Sequence, residues 1–452
     1  MFNKEEKMRS KNLSILIVLA TLVAMLAACG PTPTPQTIVQ TVEVEKTVVE
    51  EVTVVETVEV EVEVTAVPEV PAAPAAECPE TIKIGSVTDQ TGPLASFGAY
   101  FKWAFDYFIE EINADGGVYV AECDKTIPLE MLYGDHSADE QKAVTEMEYL
   151  VEQGVVALTG STAIMPLGQV VAEKNGIPLV VANGSLTEPF QQGFRYIFSM
   201  SWMNNEVSAF PFMLAEYFGM EDPVIGFMEE QDLMGIDYSS NLQAEALRRG
   251  YTGLVIQKYQ RFGEDFSTQI LAFKEAGVDF LFWPMIPPDA MPFWGQMIEL
   301  DFAPDAVIGL ITPADRATWS SFGPMGNYII TTNDYHWATG YPGAAEFDAA
   351  YQADHDGSHA TELAGDGYSA LQVIVDAIER AGSLDPDKLR DAIAATDMMT
   401  IKGPIAFYPN GMPIREYFLV QYIDGVETII WPADMAERDP VFPFPAWTDP
   451  DR

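Results

Sequence analysis

Residues able to do chemistry are concentrated in a few short loops. Gly160-Ser161-Thr162-Ala163 follows the short apolar run VVALTG and precedes a helical pattern that includes Gln169 to Lys174. A helix start offers unpaired N–H groups and the positive end of a dipole, and hydroxyls there add donors, so the chemistry is anion binding. Ser161 or Thr162 equally fits a helix cap, and the two roles are compatible. His355 and His359 lie four apart in DHDGSH, the spacing of a helical metal pair, but Gly357 and the polar setting point to a solvated loop. G-x-S-x-G, H-E-x-x-H, a P-loop and a G-x-G-x-x-G helix opening are all missing, which favours binding over catalysis. No metal and no cofactor is expected.

The elements that must position these loops alternate in type. Ile82, Ile84 and Val87 predict a buried strand that breaks at Thr91-Gly92-Pro93. A helix follows through Phe101, Trp103, Ala104, Phe105, Phe108, Ile109 and Ile112, and Gly116-Gly117 ends it. Strand IPLEMLYGD, a helix from about Ser137 to Glu152, strand VVALTG, a helix and strand IPLVVA continue the pattern. Strand and helix in alternation predict an α/β fold with parallel sheets, whose ligand loops lie at the carboxyl ends of the strands. The alternation restarts with a helix over Phe210 to Phe218, strand PVIGFM and strand LVIQKY, which predicts a second lobe.

IKIG followed by TGPLASFG resembles the opening of the extracytoplasmic solute-binding proteins of the leucine/isoleucine/valine-binding type, which feed ABC importers. The resemblance runs from about Thr81 to about Gly425, with matching segments in matching order. It implies a type I periplasmic-binding fold: two flavodoxin- or Rossmann-like lobes with parallel sheets, joined by three crossover segments that act as a hinge. It also implies that the Ser161–Thr162 loop holds a ligand carboxylate and that Asn183-Gly184-Ser185-Leu186-Thr187 donates to carboxylate and ammonium groups. A turn role for Asn183 and Gly184 stands beside that one. Leu186 departs from the family where a hydroxyl is common, unless Ser185 or Thr187 takes its place. Asp237-Tyr238-Ser239 resembles the family's D-Y-G helix start, which puts the Tyr238 ring toward the ligand or, alternatively, into packing. Zwitterion-binding members of the family place a carboxylate near here to pair with the ligand ammonium, and Asp289, after strand Phe280 to Trp283, is the nearest candidate, with a helix cap as the alternative. Phe97, Tyr238, Trp283 and Met285 suggest apolar walls.

Before the body, Lys4, Lys7, Arg9 and Lys11 precede an apolar run from Leu13 to Met25, which reads as a signal peptide. Leu26-Ala27-Ala28-Cys29 resembles a lipobox, with Cys29 the acylated thiol. The Pro/Thr and Val/Glu/Thr repeats that follow cannot build a core, and their alternation fits either an extended spacer or a self-associating stalk. The domain expectation is 1–28 signal peptide, 29–80 lipid-anchored linker, 81–200 with 335–400 lobe one, 201–334 with 401–430 lobe two, and 431–452 a surface tail. Cys78 and Cys123 precede the first two strands, which lie side by side in a flavodoxin-like lobe, so an oxidising exterior predicts a disulfide between them.

Acidic side chains number 68 against 24 basic ones, a formal charge of -44, which argues against nucleic acid and anionic membrane surfaces as partners. The functional expectation is the extracytoplasmic binding component of an ABC importer, a monomer and not an enzyme, closing on a small solute, a branched or aromatic amino acid. Its partners would be that ligand, a membrane permease, and the membrane through the lipid on Cys29. The alternatives are an amide, urea or aromatic-carboxylate binder, or a sensor that presents its closed form to a membrane receptor.

Overall fold

The computed structural model describes residues 38–46, 54–62, 78–161 and 165–450. Two compact units result, 1–77 and 78–452. In the first, Ile38–Lys46 and Val54–Val62 pair antiparallel, with Ile38 opposite Val62 and Lys46 opposite Val54. Period-two alternation of Val with Glu and Thr explains why this stretch is extended. The signal peptide, Cys29 and Thr162 lie outside the described residues.

The second unit contains two lobes. In lobe one, five parallel strands run in the spatial order Leu129–Asp135, Ile82–Thr88, Ala157–Gly160, Leu179–Val181, Ile197–Ser199. Numbered along the chain this is 2-1-3-4-5, the doubly wound order in which strands one and three diverge at a topological switch point. Lobe two repeats it with Leu254–Tyr259, Ile225–Glu230, Phe280–Met285, Ala306–Ile311 and Ile330–Asn333, and adds the antiparallel pair Phe418–Ile423 and Val426–Trp431. Strands buried on both faces, such as Ile225–Glu230 and Phe280–Met285, carry continuous apolar runs because helices cover both sides of the sheet.

Each lobe places a glycine where its first ligand loop meets the following helix. A Cβ on Gly98, in helix Ala95–Ala114, would stand 1.8 Å from the Asp89 carbonyl oxygen. A Cβ on Gly235, in helix Leu233–Arg249, would stand 2.0 Å from that of Glu230. No side chain fits at either place, so the loop and helix touch through backbone.

Several boundaries differ from the sequence expectation. Ile197–Ser199, inside the expected lobe-one range, forms the fifth strand of lobe one. The third crossing comes after Arg415, later than residue 400. The small antiparallel sheet Asp397–Thr400, Gly403–Phe407, Pro413–Arg415 inserts first, and its Ile405 and Phe407 pack in the lobe-one core with Phe198 and Leu371. The C-terminal segment is no loose wrap. Phe444 and Trp447 are buried against Trp294 in lobe two, and Trp447 Nε1 donates to the Phe302 carbonyl at 2.9 Å. A disulfide joins Cys78 to Cys123, with their Cα atoms 5.7 Å apart.

Candidate functional site

The carboxyl ends of both sheets face one cleft between the lobes, with a cavity volume of about 140 Å³, below the several hundred Å³ of sites for drug-sized molecules. Lobe one contributes Asp89 after its first strand, Ser161 after its third, and Asn183, Ser185 and Leu186 after its fourth. Lobe two answers with Glu230 at the end of its first strand and Asp232 after it, Arg261 after its second and Ile286 after its third. Phe97 and Phe101, on the helix behind the opening loop, add apolar wall together with Leu94, Trp202 and Leu363. Four of the expected site residues, Phe97, Ser161, Asn183 and Ser185, are thus brought together.

Tyr238 and Asp289 are not among the residues lining the cavity, although Tyr238 lies against Ser185, which is. Helix Leu233–Arg249 begins five residues earlier than the D-Y resemblance implies, capped by Asp232, whose carboxylate accepts from Gly235 N at 2.8 Å. That register turns Tyr238 into the lobe-two core, 6.5 Å from the Phe227 ring and 6.1 Å from Phe282. Asp289 lies in the first turn of helix Pro287–Glu299, fully buried, and accepts from Gly263 N at 2.8 Å instead of facing the cleft. Burial raises its carboxyl above the usual range.

The acids that do line the cleft were not singled out in the sequence. Glu230 is raised by burial even though Arg261 pairs with it, and Arg261 also holds Asp232 at 2.8 Å. Glu362, at the start of helix Glu362–Ala381, accepts from Trp202 Nε1 at 2.9 Å. Its carboxyl stands well above the usual range, first because it is buried and then because Asp334 and Asp366 are close. In a chain with 68 acids, only the strand order picks these out.

Asp135 braces the lobe-one loops. Its carboxylate accepts from Gln90 N at 3.0 Å, Thr91 N at 3.2 Å, Thr91 Oγ1 at 2.6 Å and Ser137 N at 3.1 Å. These donors outweigh burial and hold the group well below the ordinary carboxylate value. Behind them His136, fully buried, reaches Ser161 Oγ through Nε2 at 3.0 Å.

The cleft lips also touch. Thr187 Oγ1 donates to Asp237 at 2.7 Å on one side, and Tyr100 Oη donates to Asp315 at 2.8 Å on the other. Three chain crossings join the lobes, and Lys402 ties them together. Its ammonium donates to Met200 O at 3.0 Å in the first crossing and pairs with Asp334 at 2.9 Å in the second, while Arg415 at the third pairs with Asp334 at 2.5 Å. Lys402 also pairs with Asp366, which accepts from Asn183 Nδ2 at 2.7 Å and so links hinge to cleft. His336 lies on the second crossing, buried and stacked on Trp337, and its Nε2 meets the Glu427 carbonyl at 3.3 Å. Among the described residues no group of three or more His, Cys, Asp or Glu is arranged to hold a metal ion.

Two doubly wound lobes, three crossings and a ligand-sized cleft at their switch points coincide with a sequence match over residues 81–426 to the profile of periplasmic binding proteins. The chain belongs to the periplasmic binding protein family. This periplasmic binding protein is therefore a solute-binding protein, not an enzyme. It is 26% identical over 351 residues to the leucine-, isoleucine-, valine-, threonine- and alanine-binding protein of Pseudomonas aeruginosa, covering 74% of this chain and 87% of that one. It is similar in fold to the leucine-binding protein LivK of Thermotoga maritima, with a TM-score of 0.67 at 20% identity, covering 77% of this chain and 97% of LivK. A solute-binding protein of an ABC transporter from R. palustris, solved with benzoate, matches at a TM-score of 0.67 and 14% identity, over 82% of this chain and 98% of that one. Family members work outside the cytoplasm, and no described helix is long and apolar enough to cross a membrane.

Proposed function

We propose that this periplasmic binding protein is the extracytoplasmic component of an ABC importer and closes on a small amino acid with a branched or aromatic side chain. The observation that carries this reading is the polarity of the cleft. Hydroxyl and amide groups of Ser161, Asn183 and Ser185 form one pole, Glu230 and Asp232, both paired with Arg261, form an acid-rich pole to which Glu362 adds a carboxyl from lobe one, and an apolar wall of Leu94, Phe97, Phe101 and Leu363 lies at the same cleft. A zwitterion matches both poles, because a buried carboxylate needs donors and a buried ammonium needs acids. The names of the Pseudomonas and Thermotoga relatives point the same way. A lipid on Cys29 would hold the protein at the membrane, where a permease takes over the ligand from a monomeric, closed form.

Thermal unfolding of the protein with leucine, isoleucine, phenylalanine, urea and benzoate tests the reading. A ligand at a hundred times its Kd stabilises the fold by about 2.7 kcal/mol. Stabilisation by the amino acids and not by urea is the expected result. Stabilisation by benzoate alone would favour a second reading, an aromatic-carboxylate binder, which the Phe97, Phe101 and Trp202 rings and the benzoate-bound neighbour support.

A further inference from the structure

His136 follows the second strand of lobe one, fully buried behind the cleft wall. The contacts of its two ring nitrogens bear on which of them carries the proton. Ala138 N points at Nδ1 at 3.1 Å, a contact that asks for a lone pair on Nδ1. With that lone pair kept, the ring proton sits on Nε2, which faces Ser161 Oγ at 3.0 Å. Asp89 Oδ1 takes the same Ala138 N–H at the shorter 2.6 Å and lies 3.2 Å from Nδ1, so the competing arrangement is an Nδ1 proton shared with Asp89.

We propose that His136 is a positioning residue: it donates to Ser161 Oγ and so turns the Ser161 hydroxyl hydrogen into the cleft, committing that pole to an oxygen acceptor such as a ligand carboxylate. The opposite tautomer would have Ser161 donate to the ring and offer the ligand only lone pairs, which select an N–H group. The same assignment explains why Asp89, His136 and Ser161, though adjacent in the order of an acyl-transfer triad, do not activate a nucleophile. A general base needs a free lone pair on the nitrogen beside the serine, and here that nitrogen carries the proton. The choice of carboxylate rests on the amino-acid reading above, whereas the tautomer rests on the protein alone.

The test has two arms on the full protein. Nitrogen-15 NMR of the histidine side chains without ligand, with His136 identified by its loss in His136→Gln, should show protonation at Nε2 and not at Nδ1. Protonation at Nδ1 alone overturns the proposal whatever the ligand is. In the second arm, L-leucine and L-leucinamide are titrated into wild type, Ser161→Ala, His136→Leu and His136→Gln. Ser161→Ala and His136→Leu should weaken leucine by about ten- to a hundredfold, the worth of one hydrogen bond to a charged group, and weaken leucinamide much less. His136→Gln, whose amide can reach the Nε2 position as a donor, should recover most of the loss and also serves if His136→Leu fails to fold. Equal losses for both probes in Ser161→Ala overturn the outward-donor claim. Failure of folded wild type to bind either probe, with the Nε2 proton found, overturns the amino-acid reading and leaves the tautomer assignment standing.

Discussion

Replacing Lys402 by Met removes the ammonium that ties the three crossings together. The side chain is 4% exposed and its partners Asp334 and Asp366 are fully buried, so water cannot take its place. Removing one partner of a buried ion pair typically costs about 3 to 5 kcal/mol. Two features of the site set where in that range the loss falls. Arg415 stays paired with Asp334, which burial raises but the Arg415 and Lys402 charges hold below the usual range. Asp366 can neutralise itself, since burial and the Asp334 charge already push it up to about 7. A loss near the lower end, about 3 kcal/mol, is expected at pH 8. The sign of the pH dependence follows from Asp366. Its folded value lies above the unfolded one, so its contribution is fully present below about pH 4 and is lost as pH rises through about 7. Without Lys402 the folded value moves higher still, so the gap between variant and wild type should narrow at pH 5.5 and widen at pH 8. Urea unfolding followed by tryptophan fluorescence at the two pH values measures it. A loss below about 1 kcal/mol at pH 8, or a gap that does not change with pH, would refute the argument.

Other expectations follow from the same geometry. Burial and its acidic neighbours push the Glu362 carboxyl well above the usual range, and an ammonium-bearing ligand beside it should bring it down, so calorimetry of leucine at pH 7 in two buffers should show proton release that Glu362→Gln abolishes. The same variant removes a carboxyl whose raised value costs stability as pH rises, and should therefore gain on wild type at pH 8 but not at pH 4. Asp289→Asn should leave leucine affinity unchanged, because Asp289 bonds inside lobe two; a tenfold loss measured by calorimetry would return it to the ligand. Reducing the Cys78–Cys123 disulfide, which closes a separation of 45 residues, should lower stability by about 4 kcal/mol in the chain-entropy account, read as a shift in the urea midpoint.

Most of the strands were legible because they are apolar runs bounded by glycine and proline, a signal that local sequence carries by itself. Ile197–Ser199 was not, because three residues carry no period and only pairing with Leu179–Val181 makes them a strand. The tail was misjudged from its prolines and aspartates, since burial of two aromatics, Phe444 and Trp447, decides its place. In the cleft the lobe-one donors were legible, as they directly follow readable strands. The acids of lobe two were not. A shift of five residues in where helix Leu233–Arg249 begins puts Asp232 and not Tyr238 in the cleft lining, and spacing alone cannot fix that register. His136 escaped notice because its meaning lies in Ser161, which only the pairing of neighbouring strands brings alongside.

The lip contacts bear on what sets affinity. Across both lips lobe one supplies the hydroxyls, Thr187 on one side and Tyr100 on the other, and lobe two supplies the carboxylates, Asp237 and Asp315. When the lobes part, water can bond to all four groups, so each lip contact contributes only the small net difference between a protein and a water partner. The Lys402 cluster is different in kind. Its partners are buried and lie at the pivot, so it constrains how the lobes turn more than whether they close. On the proposed reading the ligand decides closure, because only a molecule that meets Ser161 of lobe one and the Glu230 and Asp232 carboxylates of lobe two together interacts differently with the open and closed forms. A solute that fills one pole alone would bind an open lobe and leave the equilibrium nearly where it was. On that reading the specificity of closure lies in the distance and polarity between the two poles, and the apolar wall chooses among molecules that already satisfy both.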